Sequence, residues 1–272
     1  MPIFEALILG LVQGLTEYIP VSSTAHLLLI PWLLGWSSPT FAFTILIQWG
    51  TLVGVLIYFW RDLWAIVRGM IDGLIKRQPL GTPEARLGWW IVVATIPAVI
   101  IGLLFKKAVE ALQSQPVVIA VILMAAGGLM IAAERFGKRN RPIDSMTATD
   151  AGVIGLWQTL AFLPGVSRSS ATMSGGMLRN FERAGAARFS FLMSIPALLG
   201  AGVIAIKDLL EVKGLLATLA APLAVGFVVA AISGYVSIRW LLGYLKSRSL
   251  TVFTIYRLAF GALIIIVALS RG

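Results

Sequence analysis

The stretch TEYIPVSSTAH at residues 16–26 places several reactive side chains inside a strongly apolar part of the chain. It contains Glu17, the hydroxyls of Ser22 and Ser23, and His26, the single histidine of the sequence. Ionisable groups in apolar membrane segments are costly and are functional by default. Glu17 is suited to a metal ion or a proton. On a helix Ser23 and His26 would share a face, which is the arrangement of a nucleophile and its base.

A second stretch, LPGVSRSSATMSGG at 163–176, supplies the complementary charge. Its Arg168 lies among hydroxyls, and a guanidinium binds phosphate through two parallel hydrogen bonds. Backbone N–H groups at helix starts after Pro20 and Pro164 would add to an anion site. The two stretches together therefore predict a phosphate-binding pocket with a carboxylate beside it, where a divalent cation commonly bridges carboxylate and phosphate.

The composition indicates a membrane protein, because 58% of the residues are hydrophobic and only 12% are charged, against about 25% charged in soluble domains. The chain has no cysteine, which excludes disulfides and cysteine–metal sites. Segments long enough to span a bilayer lie at about 41–60, 89–105, 117–133, 189–206, 215–236 and 251–270. Two further apolar regions, 3–34 and 151–178, are interrupted by proline, serine and charge.

The net charge of +10 comes from basic residues that lie mostly between the spans, so nucleic acid is not an expected partner. Most of them fall on one side of the predicted topology. By the positive-inside rule, loops 61–88 and 134–150 are then cytoplasmic and both termini extracytoplasmic. Within the first loop, residues 61–77 carry apolar side chains at helical spacing, which predicts an amphipathic helix on the membrane surface.

The chain also repeats itself. GLVQGLTEYIPVSS at 10–23 parallels GLWQTLAFLPGVSRS at 155–169, and further matches follow in the same order. The single membrane domain, 1–272, then consists of two halves, about 1–138 and 150–272, each with three crossings. An odd number of crossings inverts the second half. We therefore predict an all-α polytopic membrane protein with six transmembrane helices and two re-entrant helix pairs in an inverted-topology repeat, whose broken turns converge.

Other interpretations compete with catalysis. His26 and Pro20 could belong to a kinked structural helix, and Arg257 is interpreted as structural. Inverted repeats with broken helices are also the common plan of secondary transporters, and a lipid-phosphate flippase would need the same pocket. The hydroxyls and histidine beside Arg168 favour an enzyme.

The pair QGLTEYIPVSSTAH at 13–26 and PGVSRSSAT at 164–172 resembles the signature of undecaprenyl-diphosphate phosphatases of the bacitracin-resistance (BacA) type. The resemblance covers essentially the whole chain and includes SGGML at 174–178 and FSFLMSIP at 189–196. It implies an enzyme of the bacterial plasma membrane whose site opens to the periplasmic side. The implied reaction converts undecaprenyl diphosphate to the monophosphate, which recycles the lipid carrier for peptidoglycan synthesis and gives bacitracin resistance.

The motif positions imply a role for each polar residue. Catalytic roles fall on Glu17, Ser23, His26 and Arg168. Substrate-binding roles fall on Gln13, Ser22, Thr24, Ser167, Ser169 and Thr172. Ser23 is the candidate nucleophile or phosphate ligand, and Glu17 the candidate ligand of Mg²⁺ or Ca²⁺. Many family members have Glu in place of Gln13, so a two-carboxylate metal site is weakened here.

The expected partners are the polyprenyl diphosphate and the lipid bilayer. The sequence leaves open the preferred cation, the range of polyprenyl lengths, any flipping of the product, and the oligomeric state, with a homodimer as one option. It also leaves open whether Ser23, His26 or water attacks phosphorus.

Overall fold

The computed structural model describes residues 1–112, 115–211 and 215–271, and in these residues every regular element is helical. This confirms the all-α class. The α-helices are α1 Ile3–Tyr18, α2 Ser23–Leu34, α3 Phe41–Tyr58, α4 Trp60–Ile75, α5 Pro83–Leu112, α6 Pro116–Phe136, α7 Ala148–Thr159, α8 Arg168–Leu178, α9 Arg183–Glu211, α10 Leu215–Leu245 and α11 Thr251–Arg271. In a bilayer the helix satisfies its own backbone hydrogen bonds, which is why a chain of this composition folds this way.

Six helices in the described part of the chain are long and apolar enough to cross a membrane: α3, α5, α6, α9, α10 and α11. The chain is therefore a multi-pass membrane protein, and the number of predicted spans is confirmed. The predicted boundaries are less accurate, since α5 begins at Pro83 instead of 89 and α9 at Arg183 instead of 189. Helical hydrogen bonding continues past the apolar segment into charged residues, which hydropathy cannot detect.

The two interrupted regions form pairs of short helices. Residues 19–22 separate α1 from α2, and residues 160–167, which begin with the 3₁₀ turn Leu160–Phe162, separate α7 from α8. The breaks predicted around the two prolines are thus confirmed. The re-entrant course of these pairs, and the repeat relation of the two halves, stay predictions.

Glycines fix the first helix of each pair against a long helix. A Cβ added at Gly10 of α1 would lie 2.5 Å from the carbonyl oxygen of Gly226 in α10. A Cβ at Gly155 of α7 would lie 2.5 Å from the carbonyl oxygen of Ala94 in α5. Membrane helices associate through such small residues, which let backbones approach closely. These contacts position α1 and α7, and with them the two breaks.

Asp150 fixes the beginning of α7. It forms a capping box with Thr147 and accepts hydrogen bonds from Nη2 of Arg141 at 2.8 Å and Nε of Arg179 at 2.7 Å. Burial by itself raises the pKa of the Asp150 carboxyl, but the hydrogen bonds from Arg141, Arg179 and Thr147 outweigh it and lower the pKa well below its ordinary value. The carboxylate therefore connects α7 to residue 141 and to the end of α8.

The helix predicted within residues 61–77 is present as α4. Trp64, Ile71 and Leu74 are exposed on it, whereas Ile66 is buried. A helix with exposed apolar side chains and basic neighbours is typical of one that lies on a membrane surface. The helix itself is confirmed, and its position on the bilayer stays a prediction.

Candidate active site

The second helix of each pair begins in the same unusual way. Ser22 is the N-cap of α2 and Ser167 is the N-cap of α8, and both have positive φ angles, 76° and 71°. Each serine hydroxyl accepts a hydrogen bond from the backbone N–H three residues on, at Ala25 and Ser170. Because positive φ is uncommon outside glycine, the surrounding structure must hold both turns in place. The result is two helix N-termini in one region of the protein.

Glu17 is the centre of the hydrogen-bond network at these turns. Its Oε2 accepts from Ser23 Oγ at 2.6 Å and from Gln13 Nε2 at 2.8 Å. Its Oε1 accepts from Nη2 of Arg168 at 2.5 Å, across the two helix pairs. Glu17 is 8% exposed. The structure therefore brings together Glu17, Ser23 and Arg168, as predicted, and Gln13 with them.

His26 does not contact Ser23, contrary to the arrangement inferred from spacing. Its Nδ1 lies 2.7 Å from the carbonyl oxygen of Ser22, and its Nε2 lies 2.7 Å from the hydroxyl of Tyr256. Since a carbonyl can only accept, Nδ1 donates, and in the neutral ring Nε2 accepts from Tyr256. Phe260 stacks on the ring at 4.6 Å between centroids. His26 thus holds the turn before α2. Residues of α11 share this task, which the sequence analysis missed.

A cavity of about 340 Å³ lies where the two turns meet. The polar residues that line it are Glu17, Ser22, Ser23, Gln48, Gln158, Ser167 and Arg168. Gln48 and Gln158 were not selected from the sequence. The signal for Gln158 was present, since it occupies the glutamine position of the G-L-x-Q pattern that also contains Gln13. The cavity joins hydroxyls, one carboxylate and one guanidinium, which is a set suited to phosphoryl transfer.

The remaining predicted residues lie outside the lining of this cavity. Ser169 Oγ is 3.0 Å from Ser167 Oγ and donates to the backbone oxygen of Glu17 at 3.3 Å. Thr172 Oγ1 donates to the backbone oxygen of Arg168 at 2.8 Å and lies 2.6 Å from Ser190 Oγ. Thr24 is half-buried. Ser169 and Thr172 therefore support the backbone of the site.

Arg257 donates hydrogen bonds to backbone carbonyls of both turns. It is completely buried and donates to the carbonyl of Pro20 at 3.1 Å, and to those of Gly165 and Val166 at 2.6 and 3.0 Å. Its Nε donates to the Leu123 carbonyl at 2.9 Å. These carbonyls belong to the breaks, where helical partners are missing. The structural role predicted for Arg257 agrees with this geometry.

An apolar groove of about 520 Å³ runs beside the polar cavity. It lies between α4, α5 and α9 and is lined by residues that include Met70, Ile100 and Pro196. The helices α5 and α9 border both spaces. Ala98 and Ala197 line the polar cavity, whereas their sequence neighbours Val99 and Pro196 line the groove. A ligand with a polar head and an apolar tail could therefore occupy both.

The cavity offers little to a permanently bound metal ion. In the described part of the chain no group of three His, Cys, Asp or Glu side chains could hold one. Glu17 is the carboxylate that lines the cavity, and both of its oxygens already accept hydrogen bonds. A divalent cation at this carboxylate would therefore need phosphate oxygens or water as its further ligands, as is usual for Mg²⁺.

Comparison with known proteins gives one consistent result. A sequence model described as "Bacitracin resistance protein BacA" matches residues 6–263. The chain is 43% identical to the undecaprenyl-diphosphatase of Chlorobaculum tepidum, over 96% of this chain and 95% of that one. It is 46% identical to the undecaprenyl-diphosphatase of Chlorobium limicola, with the same coverage, and 44% identical to that of Myxococcus xanthus, over 98% and 89%. The chain therefore belongs to the BacA family of bacitracin resistance proteins.

Proposed function

We propose that this chain hydrolyses undecaprenyl diphosphate to undecaprenyl phosphate and inorganic phosphate, as the names of its relatives state for them. Such an activity recycles the lipid carrier for peptidoglycan synthesis and gives bacitracin resistance. The observation that carries the proposal is the hydrogen-bonded set of Glu17, Ser23 and Arg168 at a cavity lined by two helix N-termini. Hydroxyl, base and cation are the groups that phosphoryl transfer requires.

In this mechanism Ser23 is the nucleophile and Glu17 is its base. The Ser23 hydroxyl already donates to Glu17, so its proton has an acceptor at 2.6 Å. Ser23 Oγ forms a bond to the terminal phosphorus, the bond from phosphorus to the bridging oxygen breaks, and undecaprenyl phosphate leaves. Water then forms a bond to phosphorus as the bond from phosphorus to Ser23 Oγ breaks, Glu17 returns its proton to Ser23 Oγ, and dihydrogen phosphate leaves with both protons of the water. His26 holds the turn instead of acting as the base expected from the sequence.

Arg168 neutralises charge on the transferring phosphoryl group. Its guanidinium is bound to Glu17 through Nη2 and to the backbone oxygen of Ser194 through Nη1, so it is oriented before substrate binds. The backbone N–H groups at the beginning of α2 and α8 add donors for the phosphate oxygens. Preorganised donors of this kind contribute most where water is excluded.

The divalent cation expected from the sequence is proposed to bind together with the substrate. Mg²⁺ or Ca²⁺ bound to the diphosphate would find Glu17 as its protein ligand, with Gln13 beside it, and would supply additional charge neutralisation. Removing divalent ions with EDTA should then abolish phosphate release without lowering the unfolding temperature of the substrate-free protein.

The undecaprenyl tail is proposed to occupy the apolar groove between α4, α5 and α9. Support comes from its apolar lining and from its position on α5 and α9, the two helices that also border the polar cavity. Val92 lines this groove and has an exposed side chain, so a tryptophan at this position would occupy part of the space. The KM for undecaprenyl diphosphate should rise in Val92→Trp, whereas a short-chain polyprenyl diphosphate should be affected less.

We further propose that the site opens to the periplasmic side of the bacterial inner membrane, with the two helix pairs re-entrant and the halves inverted. Exposed positions Ser38 and Asn140 test the orientation. In intact cells an impermeant thiol reagent should label Ser38→Cys and not Asn140→Cys. The opposite labelling would reverse the topology. A homodimer, the assembly considered from the sequence, stays a prediction that the mass of the detergent-solubilised protein tests.

A lipid-phosphate flippase on the same plan is the rival function. The purified protein in detergent, supplied with undecaprenyl diphosphate, separates the two. Steady release of inorganic phosphate is the expected result. A protein that moves the lipid between the leaflets of proteoliposomes without releasing phosphate would be a transporter, and the proposal would be wrong.

A further inference from the structure

The side-chain amide of Gln158 is buried at the active-site cavity without a partner. Gln158 is 3% exposed and lines the cavity together with Glu17, Ser23 and Arg168. Among the described residues no group accepts a hydrogen bond from its Nε2 or donates one to its Oε1. Leaving a buried amide unpaired is destabilising. A glutamine in this position is therefore suited to a partner that comes from outside the chain.

Comparison with Gln13 shows why Nε2 of Gln158 is unpaired, whereas Oε1 has no partner among the described residues in either glutamine. The two glutamines occupy the same place in the stretches GLVQ and GLWQ, and the residue four positions later differs between them. After Gln13 that residue is Glu17, which accepts its Nε2 at 2.8 Å. After Gln158 it is Phe162, which has no acceptor and also lines the cavity.

The position of Gln158 in the chain places it shortly before the break that precedes Arg168. It lies in the last turn of α7, and the following break leads directly to Ser167 and Arg168. Arg168 bonds to Glu17 on α1, so the cavity wall is made of both helix pairs at this point. Gln158 therefore lines the same cavity of about 340 Å³ as Ser23 and Arg168.

We propose that Gln158 is a further substrate-contacting residue of the phosphatase. Its Nε2 donates to an oxygen of the phosphoryl group under transfer, and its Oε1 accepts from the water that attacks phosphorus on phosphorylated Ser23. An amide supplies both functions because it is donor and acceptor at once. Glutamine is known to orient attacking water in other phosphoryl-transfer enzymes. The inference rests on the proposed function and adds a residue to it.

The decisive variant is Gln158→Leu, which keeps the approximate size of the side chain and removes both hydrogen-bonding atoms. We expect kcat to fall by at least about tenfold, since a hydrogen bond to a charged group is lost. The unfolding temperature of the substrate-free protein should stay equal or rise, because an unpaired buried amide is replaced by an apolar group. A residue with a purely structural role would lower the unfolding temperature instead, and this result would overturn the proposal.

Two further variants complete the test. Thr159→Val is the control, because Thr159 is the next residue on α7 and its exposed hydroxyl bonds only to the Leu156 carbonyl. It should keep wild-type kcat. In Gln158→Glu a carboxylate faces the diphosphate, so activity at neutral pH should be lower than in Gln158→Leu and should recover partly at lower pH. Equal activity of Gln158→Glu and wild type would also overturn the proposal.

Inorganic phosphate provides a readout that does not depend on turnover. Millimolar phosphate should raise the unfolding temperature of the wild type, because a ligand that binds only the folded state stabilises it. The increase should be smaller in Gln158→Leu, and an equal increase would contradict the contact. Failure of the wild type to release phosphate would remove the proposed function itself. Wild-type turnover in Gln158→Leu would remove only the role of Gln158.

Discussion

The two turns that form the site share the conformation of their capping serine and differ in chemistry. Ser22 and Ser167 adopt φ angles of 76° and 71° and cap the following helix through the same hydrogen bond. The next residue is Ser23 in the first turn and Arg168 in the second. The first turn thus presents a hydroxyl where the second presents a cation.

The difference extends to the helix before each turn. Glu17 and Phe162 take the same place relative to these serines, so one turn has a carboxylate where the other has an apolar ring. Neither turn alone combines nucleophile, base and cation. The hydrogen bond between Arg168 and Glu17 brings the guanidinium of the second turn next to the hydroxyl and the carboxylate of the first. Similar backbones therefore supply equivalent positions, and divergence of the side chains gives the pair the groups of the proposed catalytic site.

Removing the cation of the second turn should have the largest effect. Arg168→Ala should lower phosphate release at least about 100-fold, since one preorganised charge at the transferring group is lost. Arg168→Lys keeps the charge without the planar fork and should still lose at least about tenfold. Arg248→Ala, at an exposed arginine, serves as control. Arg168→Ala with more than half of the wild-type turnover would refute the phosphate-binding role.

The first turn should behave as one unit formed by Glu17 and Ser23. In a double-mutant cycle of Glu17→Gln and Ser23→Ala, the double variant should be hardly slower than the worse single one, because the groups act together. A cycle of Ser23→Ala with His26→Ala should be more nearly additive, because the structure gives His26 other partners. Spacing in the sequence predicted that Ser23 and His26 would be the coupled nucleophile and base. Phosphate-release rates of the variants decide between them, and strong coupling of Ser23 to His26 would restore the sequence-based assignment.

The beginnings of α1 and α7 provide a contrast in stability. Asp150 is bonded to Arg141 and Arg179, whereas Glu5, at the equivalent place in α1, makes no ion pair with a described residue. Asp150→Asn should lower the free energy of unfolding by about 2 kcal/mol, and Glu5→Gln should change it little. Thermal unfolding in detergent measures both. Equal losses of stability in Asp150→Asn and Glu5→Gln would show that the ion pairs of Asp150 add no stability at the beginning of α7.

The difference in stability between the wild type and Asp150→Asn should also depend on pH. The pKa of Asp150 is lowered in the folded protein, so its contribution is fully present above the ordinary aspartate pKa of about 4 and is lost as the pH falls towards the folded value. The unfolding temperatures of the wild type and Asp150→Asn should therefore converge as the medium is acidified below that pH. A gap that stays constant would exclude the ionised carboxylate as its source.

The smallest effects are expected at the matched caps. Ser22→Ala and Ser167→Ala should each cost about 1 kcal/mol of stability through the lost cap. The glycine variants at both positions should cost less, because glycine adopts positive φ without strain. Unfolding temperatures of the four variants should fall into two matched pairs. A large difference between the two alanine variants would show that the turns are held in different ways.

Much of the fold follows from the sequence because a bilayer permits few backbone solutions. Long apolar segments identified the spans, and Pro20 and Pro164 marked the breaks. The approach of Arg168 to Glu17 was also predicted, since irregular backbone at membrane depth must face protein or a wet cavity.

Individual partners could not be predicted in the same way. Helical spacing places Ser23 and His26 on one face, but it does not specify side-chain rotamers or competing groups. Tyr256 binds His26 from α11, far away in the sequence, and no local pattern indicates this contact. In the sequence, Gln158 stands out only because it repeats the position of Gln13. Its proposed role depends on the missing acceptor four residues later, where Phe162 takes the place of Glu17.

Arg257 has a mechanical consequence for substrate entry. By binding the Pro20, Gly165 and Val166 carbonyls together, it links the two turns and opposes their separation when a bulky headgroup enters. We expect access instead past α5 and α9, which contain Pro97 and Pro196 next to residues that line the cavity. A proline within a helix removes one hydrogen bond and weakens it locally. We expect these two helices to bend outward and open the path from the lipid to the catalytic groups.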